Sequence, residues 1–117
     1  MFLAGQGVFG RIRFTDGIYP EYDRAYLVVD VTVDKVGLIN VSSVEGKEHK
    51  LLFPYNKEIK KHNPPFPRRS FAKLDSLLYI SVSEMKDLRV LSGGIPLDSE
   101  ELNSIIGRII NNTNKPP

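Results

Sequence analysis

The chain has 117 residues, 41% of them hydrophobic and 26% charged, proportions that suit one soluble domain, residues 1–117, around one hydrophobic core. It has no cysteine, which excludes a disulfide framework, cysteine-ligated metal sites and thiol nucleophiles. No apolar run approaches the roughly 18 residues of a membrane span, and the opening MFLAGQGVFG makes a poor secretory signal, so a cytoplasmic protein without membrane association is expected.

In chain order, GVFGRIRF interleaves apolar and polar residues and predicts a first strand, followed by a loop over TDGIYPEYD. RAYLVVDVTV is rich in β-branched and aromatic residues and predicts a central strand; DKVG turns the chain into LINVSS, and EHKLLF predicts another strand. PYNKEIKKHNPPFPRR has four prolines in 16 residues and must be a long loop or a sheet edge, because proline lacks the ladder N–H. SFAKLDSLLYISV returns to strand character, SEMKDL predicts one helical turn, and RVLSGGIP a short last strand. Asp98 and Glu101 have the spacing of a capping box. Leu102, Ile105, Ile106, Ile109 and Ile110 then fall on one face of a helix, stopped by Asn111 and Asn112, with a flexible tail from about residue 113. The expectation is an α+β, mostly-β fold: a small, curled antiparallel sheet with a C-terminal helix packed on it.

The net charge of +2 is unevenly placed: residues 57–69, KEIKKHNPPFPRR, carry five basic side chains and one acid, a local +4. Such a segment on a near-neutral body is either a phosphate-facing surface, with Lys60, Lys61, Arg68 and Arg69 as its contacts, or a solvated loop. GQGVFG matches G-x-G-x-x-G in spacing, but it leads into a strand and opens no helix, so a dinucleotide site is not expected. Imidazoles can serve as acid and base, but His49 and His62 sit in no catalytic-looking context, and two histidines with scattered carboxylates do not make a metal site; no metal and no cofactor are expected.

If RAYLVVDVTV and KVGLINVSS pair as a hairpin about Asp34 and Lys35, Arg24 comes to lie near Ser42 and Ser43 at one rim of the sheet. A planar guanidinium beside hydroxyls suits a phosphate.

RAYLVV (24–29), NVSS (40–43), SFAKLDSLLYIS (70–81) and PLDSEELNSIIGRI (96–109) resemble, in order, motifs of the PemK/MazF family of toxin ribonucleases. Ala25 stands where that family usually has proline, and Ser76, Leu77 and Leu78 where it has Gln-x-Arg. The resemblance implies a small SH3-like, PemK/MazF-type β-barrel and a homodimer that cleaves single-stranded RNA without metal and is held by a cognate antitoxin protein. It also implies catalytic roles for Arg24, Ser42, Lys73 and Asp75, with Asp75 suited to take the 2′-OH proton; Ser43, His49 and the basic loop are the expected RNA contacts. The alternative is a non-catalytic small-barrel module that binds nucleic acid or protein through residues 57–69.

Overall fold

The computed structural model describes residues 1–13, 18 and 20–110. The end of the first predicted strand, part of the loop after it, the asparagine stop and the tail lie outside the described residues. Among the described residues seven strands form one antiparallel sheet: β1 (Gly7–Gly10), β2 (Arg24–Val31), β3 (Lys35–Ser43), β4 (Asn56–Ile59), β5 (Ser70–Lys73), β6 (Leu78–Ser81) and β7 (Arg89–Val90). One helix, α1 (Ser99–Ile106), follows. The strand order is β4-β5-β3-β2-β1-β7, with β6 also on β3. The architecture is therefore mostly β with a C-terminal helix, in the α+β class. Among the described residues no helix is long and apolar enough to cross a membrane.

The apolar run of β2 reads as continuous because both of its faces are covered. Leu27 and Val29 join Ile39, Val41, Ile59, Phe66 and Ile105 in one buried cluster, whereas Tyr26 and Val28 join Val8, Val36, Leu38 and Met85 in another. The ladder to β3 shifts between Val28 and Asp30. Next to this irregularity Gly37 has no room for a side chain, since a Cβ there would meet the Tyr79 ring at 2.9 Å.

Three expectations are corrected. EHKLLF is not a strand: Glu48–Leu52 is a 3-10 helix with no buried residue. It belongs to a series of three-residue turns, in which Lys47 N donates to Val44 O, Lys50 N to Lys47 O, Phe53 N to Lys50 O and Asn56 N to Phe53 O. These local bonds use the donors that a strand would have offered to a neighbour.

SFAKLDSLLYISV, expected as one strand, breaks into β5 and β6, which pair with two different stretches of β3. At the break the Ser76 hydroxyl accepts from Asn40 N (2.8 Å) and donates to Lys73 O (2.6 Å), so a side chain replaces a ladder partner.

The helix stripe is narrower than its spacing implied. Ile105 is fully buried and Leu102 and Ile109 pack beside it, but Ile106 and Ile110 are each 39% exposed. Each helical step turns by roughly 100°, so a helix that rests on the line of Ile105 carries Ile106 off it. The helix stops at Gly107, and Ile110 is held separately, its N–H donating to Leu74 O (2.9 Å). The capping box is half formed. Asp98 Oδ2 accepts from Glu101 N (3.1 Å), but the Glu101 carboxylate turns away to accept from Lys61 N (2.9 Å) and Lys57 Nζ (3.3 Å).

The proline-rich segment supplies the edge strand β4 and is then pinned into the core. His62 and Phe66 are joined twice, by Phe66 N donating to His62 O (2.7 Å) and by a contact between His62 Nδ1 and Phe66 O (2.8 Å). Phe66 is buried, and it packs with Pro65 over Gly7, where a Cβ would come within 2.9 Å of the Pro65 ring. His62 and Phe66 therefore have structural work.

Candidate functional site

Four strand ends meet at one rim. Gly10, the last residue of β1, lies opposite Arg24, the first of β2; Ser43, the last of β3, lies opposite Ser70, the first of β5. The β2–β3 ladder pairs Ala25 with Val41, and its next step sets Arg24 across from Ser42. Side chains alternate along strands, so Arg24, Asn40, Ser42 and Lys73 present to the same side of the sheet. A recess of about 660 Å³ opens at this rim.

Arg24, Lys47, Lys50, Arg68, Lys73 and Arg89 bring six cations to its walls, with Asn40, Ser42, Ser43 and Ser70 between them. Among the described residues its one carboxylate, Asp23, is engaged by Arg11 at 3.2 Å. Six like charges around one cavity repel each other, and an anion relieves that repulsion most directly when it sits among them.

The individual groups are oriented for such an anion. The Arg24 guanidinium lies over the Tyr22 ring, 5.4 Å from its centroid, and its buried Nε has no hydrogen-bond partner among the described residues. A buried charged donor without an acceptor is costly, and an anionic oxygen would remove that cost. Lys47 Nζ donates to Ser42 Oγ at 3.0 Å, which leaves the Ser42 proton free to donate. The Arg89 guanidinium lies over Phe9, 5.4 Å from the ring centroid.

Burial lowers the Lys73 pKa, and the positive charges of Lys50, Arg24 and Lys47 lower it further against the opposing pull of Asp75. Between the lowered value and the ordinary lysine value, the unfolded chain holds a proton that the folded chain has released. Stability therefore rises with pH through that window, and the cost of the buried charge is fully present below it. Lys73→Met is expected to raise the thermal midpoint at neutral pH and to flatten the alkaline rise. Thermal denaturation across pH measures both effects, and a neutral-pH midpoint at or below that of the parent protein would contradict them.

Of the residues singled out from the sequence, Arg24, Ser42, Ser43, Arg68 and Lys73 come together at this recess. The others do not line it. Asp75 is exposed on the turn after β5, His49 is exposed on the 3-10 helix, and Lys60 is exposed past β4. Lys61 faces Asp98 at 3.7 Å. Arg69 grips Glu58 in a two-pronged contact, Nε to Oε2 and Nη2 to Oε1 (3.1 Å), and its hydrogen bond holds the Glu58 carboxyl below its usual range.

The local +4 of residues 57–69 is thus largely engaged within the molecule, and the cationic surface is assembled from six separated positions. Lys47, Lys50, Asn40 and Arg89 escaped the sequence reading. Lys47 and Lys50 stand three residues apart, the period of a 3-10 turn, a signal that was masked by reading their segment as a strand. Arg89 is brought in by the β7–β1 pairing of Arg89 with Phe9, which no local pattern announces.

Comparison with protein-family models and with curated proteins gives no match for this chain.

Proposed function

We propose that the chain is a metal-independent endoribonuclease that cleaves single-stranded RNA at this recess. On this reading it acts in the cytoplasm as the toxin of a toxin–antitoxin pair, and its sheet curls as a PemK/MazF-type, SH3-like barrel that works as a homodimer. The observation that carries the proposal is Arg24 set across from Ser42 within a ring of cations.

In the proposed reaction the substrate 2′-OH attacks the adjacent phosphorus, the bond to the 5′ oxygen breaks, and a 2′,3′-cyclic phosphate remains on the upstream fragment. Arg24 donates to the phosphoryl oxygens as their charge grows, and the Ser42 hydroxyl donates to a second oxygen. Lys73, at the wall of the recess and with its pKa lowered, takes the 2′-OH proton in its neutral form, a role that guanidinium groups fill poorly. The departing 5′ oxygen takes its proton from a neighbouring ammonium group. Asp75, outside the recess, acts on Lys73 through charge alone. An antitoxin of acidic character would cover the cationic rim.

The position of Asp75 also favours a second reading, a recess that binds single-stranded nucleic acid without cutting it, because among the described residues no free carboxylate lines the recess. Incubating purified protein with a mixed-sequence single-stranded RNA, with and without EDTA, separates the two. Cleavage that persists in EDTA and leaves cyclic phosphate ends supports the nuclease. Binding without cleavage supports the second reading.

Either reading predicts where the salt dependence resides. Neutralising Lys47, Lys50 and Arg68 together is expected to weaken binding across RNA sequences and to flatten the salt slope by about 0.7 for each phosphate that the variant no longer neutralises. Neutralising Lys60, Lys61 and Arg69 should leave the slope nearly unchanged. Equal effects of the two triple variants, measured by fluorescence anisotropy over a salt series, would contradict the assignment.

A further inference from the structure

We propose that Tyr22 is a stacking platform for the nucleobase next to the phosphate held by Arg24, an inference that rests on the reading of the recess as an RNA site. Tyr22 lines the recess two residues before Arg24 and is 62% exposed. Burial does not account for its position, and its hydroxyl has no hydrogen-bond partner among the described residues. The Arg24 guanidinium carbon lies over the ring, 5.4 Å from its centroid. A guanidinium over a ring face can still offer N–H donors to an anion beside the pair. The edge of the pair is thus suited to an anion, and the outer ring face to a flat π system.

A neutral flat ring joined to a single negative charge is the chemistry of a nucleotide unit. Bases in a duplex are already stacked, so the unit belongs to a single strand. Among the described residues two other rings line the recess. Phe9 carries the Arg89 guanidinium in the same way but is half-buried, and Phe66 is buried in the core, so Tyr22 is the ring with an exposed face.

The test is an abasic scan through a short 2′-O-methyl oligoribonucleotide, which cannot be cleaved, with affinities read by anisotropy. In the parent protein, removing one particular base is expected to weaken binding by about five- to a hundredfold. Tyr22→Leu, which keeps apolar bulk but has no π face, should erase that penalty at the same position, and Tyr22→Phe should keep it. A merely structural tyrosine would instead lower affinity for every oligonucleotide and leave the abasic penalty intact. Persistence of the penalty in Tyr22→Leu overturns the platform, as does an oligonucleotide bound tightly with no sensitive position. If the parent protein neither binds the oligonucleotide nor cleaves RNA, the reading of the recess fails first and the platform with it. Failure of the platform alone leaves binding and cleavage in place.

Discussion

Arg24→Ala is expected to lower the rate of RNA cleavage by about 100- to 1000-fold, the usual cost of removing one preorganised donor from a developing oxyanion. The fold should survive, because Arg24 opens its strand at the rim and its side chain makes no hydrogen bond or ion pair among the described residues. Its interaction with the Tyr22 face is worth about 0.5–1 kcal/mol at an exposed site, too little to unfold a domain. Arg24→Lys should recover little, since an ammonium cannot reproduce the planar fork. Ser42→Ala should reduce the rate in the same direction, while Ser42→Thr retains the hydroxyl and most of the activity. Single-turnover cleavage assays beside a thermal melt separate chemistry from folding. Full activity in a well-folded Arg24→Ala protein would remove the mechanism.

The second large effect is on stability. Ile105→Ala is expected to cost about 2–5 kcal/mol, because the side chain is fully buried among Leu97, Phe66 and their neighbours and its loss leaves a cavity. Ile106→Ala should cost less than about 1 kcal/mol, since that side chain is 39% exposed. Urea denaturation of the two variants gives the comparison directly. Equal losses would mean that the helix packs through a wider face than the structure shows.

That pair of neighbours also marks how far the sequence could be read. The 3.6-residue pattern correctly announced a capped C-terminal helix, but pattern alone admits a broad apolar face. How much of that face is used depends on where the helix stops and on the depth of the groove beneath it, which are tertiary facts. The central hairpin was legible because its two strands are adjacent in sequence and flank a short turn, and from it followed the meeting of Arg24 with Ser42 and Ser43.

The rest of the site was not legible for the same kind of reason. Lys47 and Lys50 depend on a run of local turns that mimics a strand in composition. Arg89 depends on a two-residue ladder formed some eighty positions away in the chain. The basic loop misled because charge counted along a sequence says nothing of pairing in space: Lys57, Lys61 and Arg69 find Glu101, Asp98 and Glu58.

The way Glu101 is used has a bearing on how the molecule behaves among its own copies. β4 is the outermost strand on its side of the sheet, and such a strand offers unpaired backbone that can template the addition of another chain. Glu101 reaches from the first turn of α1 to the N–H of Lys61, just past the end of β4, and draws the Lys57 ammonium, only 15% exposed, against itself. The helix, by giving up the return half of its own cap, thus sets a charged contact beside an open strand, and charge at such an edge disfavours the addition of another chain. One carboxylate serves both the docking of the last helix and the charge beside that open edge.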